Sequence, residues 1–249
     1  MGADFRRDQV DVDAGELYDY SKKTGVLPEI SAVSPEDYRR CFEKYTKAGF
    51  EVLHVSLSSQ LSECYHNACQ AAEQLEGVYV VDSQSVSTGT GQLAMLAAEL
   101  ASADYLAAEI RDALNEMKQK LDVSFVLQDS DYLHRQGKSG GLAARSARLL
   151  KLKPEIILEK GSIHHGKPFR GDMESSILEY VKSRLSGRRN IQTDRIFVTY
   201  SGVPQASIDK VTALLRQLQP FEQILEIPAA SVVSCRCGPG RLGLAFMTT

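Results

Sequence analysis

The chain has 249 residues, 43% apolar and 24% charged, enough to bury a core as one large domain or two small ones. A net charge of −3 and a pI near 6.0 offer no basic field for a phosphate backbone or an anionic lipid surface, which argues against nucleic acid as a partner. The longest apolar run, 93–98, falls far short of the roughly 20 residues of a membrane span, and the opening MGADFRRDQVDVDAGE lacks the apolar stretch of a signal peptide. Five cysteines, at 41, 64, 69, 235 and 237, are an odd number without framework spacing. They fit a reducing compartment, and a cytoplasmic location is expected.

In chain order, Ser34-Pro35-Glu36-Asp37 supplies an N-cap, a first-position proline and an acidic first turn for a helix over about 35–48. FEVLHVSL (50–57) and VYVVDS (78–83) read as strands, each leading through serines into a helix, over about 61–76 and 87–101. A further helix is expected over about 104–120. Strand and helix alternating at this spacing predict a parallel sheet. From 122 onward the segments VSFVLQD, KPEIILEKGSIHHGKP, RIFVTYSG, FEQILEIPA and RLGLAFM give five or six strands with three helices among them. The expected organisation is therefore 1–121 as an α/β domain and 122–249 as a mixed-sheet domain.

Three motifs invite chemistry. GKSGG (137–141) fits a nucleophile elbow, but DYLHRQ before it reads as helix and no histidine follows His165, so the hydrolase order fails and a turn between helices is expected. Gly89-Thr90-Gly91-Gln92-Leu93-Ala94 has the glycine spacing of a dinucleotide loop, yet two helices follow instead of a second strand; small residues for a close strand-to-helix turn are the plainer reading. For metals, adjacent His164 and His165 on a strand point apart, Cys235 and Cys237 on a strand would share a face, and His54 and His66 stand elsewhere. Neither ligand spacing of a zinc site appears, and no metal or cofactor is expected.

The serines at 58, 59 and 62 differ in kind. They sit where a strand ends and a helix begins, the edge of a parallel sheet where ligands dock. A helix start carries unpaired N–H groups and the positive end of the macrodipole, so the cluster reads either as a cap or as a seat for a carboxylate or phosphate.

LPEISAVSPEDY (27–38), LHVSLSSQLSECYHNA (53–68), VVDSQSVSTGTGQLAMLAAELA (80–101), FVLQDSDYLHRQGK (125–138), LLKLKPEIILEKGSIHHGK (149–167) and CGPGRLGLAF (237–246) together resemble, in order and spacing, the DegV family of bacterial fatty-acid-binding proteins. The resemblance implies a two-domain α/β fold. Its N-terminal domain would be a three-layer parallel-sheet unit and its C-terminal domain a two-layer mixed sheet. It also implies a carrier without chemistry of its own that holds one long-chain fatty acid and, in many members, presents it to a separate fatty acid kinase.

Carried over by position, the family serine that binds the carboxylate falls on Ser62, with Ser58 and Ser59 in the same turn. The family's threonine ligand falls on Ile30, leaving Ser31 as the available hydroxyl. A family histidine falls on Arg236, followed by Gly238. An arginine there replaces a hydrogen bond with a bidentate ion pair, or marks a different ligand. Leu61, Tyr65, Leu93, Leu96, Leu149, Leu150 and Phe246 are candidates for the tail's tunnel or for ordinary core. The basic stretch that many members carry after 166–167 reads PFRGDMES here, which weakens the expectation of kinase docking. Members also begin with two more strands than this chain, so an open sheet edge, self-association, a shortened gene model or a lipid-free interaction protein is the alternative expectation.

Overall fold

A computed structural model describes residues 6–8, 10–26, 28–128 and 152–249. The GKSGG turn, Leu149 and Leu150 lie outside the described residues.

The first half is built on two parallel strands, β1 (Val52–Ser56) and β2 (Val78–Asp82), paired in register from Val52 with Val78 to Ser56 with Asp82. Alternation along β1 sends Val52 and His54 to one face and Leu53 and Val55 to the other. On the first face lie α2 (Pro35–Thr46) and α3 (Cys64–Ala72), whose Phe42, Ala68 and Ala71 form a cluster with Tyr38, Val52 and Val78. On the second lie α4 (Thr88–Ser102) and α5 (Ala107–Met117), which bury Leu93, Ala97, Ile110 and Leu114 with Val81, Leu53 and Val55. These three layers match the sequence reading, down to Ser34 Oγ accepting from Asp37 N at 3.2 Å with Pro35 opening α2. Ahead of them α1 (Ala14–Thr24) begins in a capping box between Asp13 and Glu16.

The second half is a six-stranded mixed sheet. Its strands are β3 (Leu121–Leu127), β4 (Lys153–Glu159), β5 (Ser162–Phe169), β6 (Ile191–Ser201), β7 (Gln223–Pro228) and β8 (Arg241–Thr248), in the order β5-β4-β3-β8-β6-β7. Only β6 and β7 pair in parallel. Two helices, α6 (Met173–Leu185) and α7 (Gln205–Leu218), cover one face, burying Ile177, Tyr180, Val181, Ile208, Val211 and Leu215 against Leu242, Leu244 and Phe246. The period of two then turns Arg241, Gly243 and Ala245 to the opposite face, where Ala245 meets Val123, Leu158 and Phe197. That face receives Leu61, Val86 and Met95 from the first half.

One segment departs from the sequence reading. Residues 231–237, SVVSCRC, form a short helix, α8 (Ser231–Cys237), not a strand, so the alternation inferred for Cys235 and Cys237 does not apply. Both thiols are nevertheless buried. The helix is held from afar: the Asp8 carboxylate accepts from Ser231 N at 2.8 Å and Val232 N at 3.1 Å, and Ser231 Oγ donates to Val12 O at 2.9 Å.

Gly89 marks the closest approach of α4 to the six-stranded sheet. A Cβ there would fall on Ser85 Oγ and within 2.7 Å of Val123 Cγ2, whereas Gly91 faces open space. Gly89→Ala should therefore lower stability by about 1–3 kcal/mol and Gly91→Ala should not, as read by urea denaturation. His54 packs against the Tyr38 and Phe42 rings at 5.1 and 5.7 Å with Nε2 buried and unpartnered, and burial lowers its pKa below the ordinary imidazole value. The unfolded chain then binds the extra proton first, so its contribution is intact above about pH 6.5 and is lost as the pH falls. Stability measured between pH 7 and 5.5 should decline less in His54→Phe than in the parent chain; an equal decline would assign the loss to other groups.

Candidate functional site

The serines 58, 59 and 62 occupy the bend between β1 and α3, and their hydroxyl protons have different fates. Ser58 is fully buried and donates to Gly161 O at 2.7 Å, in the β4–β5 turn, while accepting from Gln60 N. Ser59 Oγ donates to Asp82 Oδ2 at 2.5 Å, and the same carboxylate accepts from Ser59 N and Gln84 N. These two hydroxyls brace the bend. Ser62 differs: its Oγ accepts from Cys64 N at 3.2 Å and its own O–H has no acceptor among the described residues.

The helix that follows starts at Cys64, three residues later than the sequence reading placed it, with Glu63 as an N-cap that makes no side-chain cap bond. The first-turn N–H groups of α3 are thus left with Ser62 as their side-chain partner. Beside them, burial and a hydrogen bond with Cys69 push the Tyr65 phenol up to about 12, so it is neutral at pH 7.

The other candidate residues come from two segments tied to this one. Residues 28–34 run from α8 to α3: Pro28 O accepts from Cys235 Sγ at 3.5 Å, and Val33 O accepts from Asn67 Nδ2 at 2.8 Å. Half-buried Ile30 and exposed Ser31 lie between those anchors. Arg236, half-buried in the last turn of α8, has no ion-pair partner among the described residues. Gly238 ends that helix at φ 71°, in the left-handed region that favours glycine. The Pro239-Gly240 turn is then pinned by Gly240 N donating to Ser201 O at 2.8 Å and Gln128 N donating to Gly240 O at 2.7 Å.

An apolar floor joins the two ends. Leu61 packs in the cluster that contains Val123, Leu158 and Phe125, and Phe125 also packs with Leu127, Ile156 and Cys237. Side-chain contact therefore runs from the residue before Ser62 to the residue after Arg236. Leu93, Leu96 and Phe246 sit elsewhere among the described residues. Leu93 is core between the two-stranded sheet and α5, and Phe246 is core on the α6–α7 face. Leu96 lines a cavity of about 440 Å³ with Gln92, Glu99, Met117, Arg195 and Met247. A second cavity of about 170 Å³ is lined by Ser85, Lys118, Leu121, Val123 and Leu158; neither includes Ser62 or Arg236.

Exposed His164 and His165 lie on β5 opposite Ile157 and Ile156, and no group of three metal-ligating side chains occurs among the described residues. No described helix is long and apolar enough to cross a membrane. Sequence reasoning missed Asp82, whose signal was an acid at a strand end facing a serine turn.

Compared with known proteins, residues 2–249 match the family model described as "Uncharacterised protein, DegV family". A DegV domain-containing protein of Deinococcus radiodurans is 27% identical over 243 residues, 96% of this chain and 85% of that one. Among solved structures, a DegV family protein from Thermus thermophilus described for its fatty acid binding superposes with a TM-score of 0.85 at 27% identity, over 98% of this chain and 87% of that one. The Fatty Acid Kinase (Fak) B3 protein of Streptococcus pneumoniae, loaded with linoleic acid, shares the fold at a TM-score of 0.84 and 19% identity, over 97% of this chain and 86% of that one. With its whole described length accounted for by that model and that fold, the chain belongs to the DegV family.

Proposed function

We propose that this protein binds one long-chain fatty acid, with the carboxylate between the start of α3 and the end of α8 and the tail against the apolar face of the six-stranded sheet. One observation carries the reading. Among the described residues, the Ser62 hydroxyl proton finds no acceptor and the Arg236 guanidinium no ion-pair partner, on two segments that residues 28–34 tether together. An anion is what both lack. The similar Thermus thermophilus protein, with its fatty acid, supports a carboxylate as that anion.

Ser58 and Ser59 shape the bend, Ser31 offers a second donor, and Ile30 and Gly238 form apolar and backbone walls. A tail of about sixteen carbons at about 0.8 kcal/mol per buried CH₂ supplies roughly 12 kcal/mol before ordering and association costs. The tail gives affinity and the headgroup contacts fix its orientation. In this reading residues 1–121 and 122–249 are two domains and the seam between them is the binding region. The protein is a carrier rather than an enzyme, and an odd number of cysteines, at 41, 64, 69, 235 and 237, without framework spacing suits the cytoplasm. The fold shared with the Fak B3 protein makes a fatty acid kinase the partner to try first.

A second reading, self-association, is favoured by one feature. The outer edge of β1 has no strand beside it among the described residues, and Phe50 and Leu106 nearby are 64% and 63% exposed. Light scattering on purified protein separates the two, since a lipid-loaded monomer removes that reading.

Native mass spectrometry of protein purified from bacteria should show a co-purifying C14–C18 acid. Protein that emerges empty and ignores added fatty acid would overturn the proposal. Ser62→Ala should weaken retention by about 1.5–3 kcal/mol, the worth of a hydrogen bond to a charged group, in a competition assay with a fluorescent fatty acid. Unchanged binding would locate the anchor elsewhere.

A further inference from the structure

Arg241, at the start of β8, is only 3% exposed, and its guanidinium has no carboxylate partner among the described residues. Its Nη1 donates to Val233 O and its Nη2 donates to Ser234 Oγ at 3.1 Å. Both of these partners are neutral, and both belong to α8. The hydroxyl of Ser234 is in turn part of a chain through Ser201 Oγ, at 3.2 Å, to Tyr18 OH, at 2.7 Å from Ser201 Oγ. A buried cation satisfied by hydrogen bonds but not by charge is costly in the empty protein, and the cost falls when an anion binds close by.

The site for that anion is adjacent. Strand alternation turns Arg241 to the same face of the sheet as Gly243 and Ala245, the face that receives Leu61 and Phe125. Arg241 holds Val233 O and Ser234 Oγ of the short helix whose last turn carries Arg236, so both arginines belong to the α8 end of the site. Resting on the fatty-acid reading, we propose that Arg241 is a specificity-determining cation of the same site. It acts through space to make the pocket select an ionised headgroup over a neutral one, while Arg236 makes the direct contact.

The test uses [1-¹³C]palmitic acid and methyl palmitate. In Arg236→Gln, which removes the half-exposed cation, the carbon-13 shift of bound palmitate should still report a carboxyl that titrates below the free acid by about one pH unit. An ordinary or raised value there overturns the proposal and needs no change at the buried position. In Arg241→Met, the ratio of acid to methyl ester affinity should fall about tenfold with ester binding held, and Arg241→Lys should restore most of it. A merely structural arginine would weaken acid and ester alike and leave the ratio unchanged, which also overturns the proposal. If the parent protein binds neither probe, the fatty-acid reading itself fails and this inference falls with it. Should Arg241→Met not fold, the Arg236→Gln titration decides the matter alone.

Discussion

The arrangement depends on a seam of short polar contacts that fixes the bends after β1 and β2 against the six-stranded sheet. Ser58 donates to the carbonyl of Gly161, Gln60 reaches Lys160 O at 2.8 Å and bonds Ser162, and Thr88 shares a proton with Thr199 at 2.6 Å. Gly89 lets α4 lie directly on Val123 behind them. Two parallel strands are too few to make a sheet that stands alone. The seam supplies the missing support, and it sets where the start of α3 points. A buried polar contact of this kind adds little net stability, but leaving one partner unpaired costs more, so the seam specifies geometry more than it adds free energy.

The other end of the candidate site is set by a short helix. The helix α8 has seven residues, too few to persist on intrinsic propensity, and its valines, serines and cysteines are poor helix formers. It exists because Asp8 takes its first two N–H groups and because Arg241 and Ser234 hold it to β8 and β6. The residue that carries the free guanidinium, Arg236, is thus positioned by contacts with the N-terminal segment and the final strand. Arg236 on α8 and Arg241 beside it are cations at this end of the fold, and the Asp8 carboxylate sits at the helix start.

Much of this was legible in the sequence where the determinant is local. Ser34-Pro35 announced α2, β-branched runs announced β1 and β2, and the serine turn announced the bend. The misses have long-range causes. SVVSCRC reads as strand because its residue types favour one, and its actual cap lies more than two hundred residues earlier, at Asp8. Ser58 and Ser59 looked equivalent to Ser62, but their hydroxyls donate to Gly161 O and Asp82, partners far along the chain that the sequence does not display. Leu93 and Phe246, read as tunnel or ordinary core, lie in core clusters: burial is visible in a sequence and the identity of the cluster is not. Arg241 was passed over inside the apolar run RLGLAFM, where a lone charge was itself the signal.

The central claim is that an acidic headgroup is held where the start of α3, residues 28–34 and the end of α8 converge. A crystal structure of the protein grown with a brominated long-chain fatty acid tests it most directly, because anomalous scattering from bromine locates the tail and difference density locates the headgroup. The account requires the carboxylate within hydrogen-bond distance of Ser62 Oγ and the Arg236 guanidinium, with bromine against the Leu61–Phe125 face. A carboxylate seated elsewhere, such as the cavity lined by Gln92 and Arg195, would contradict it.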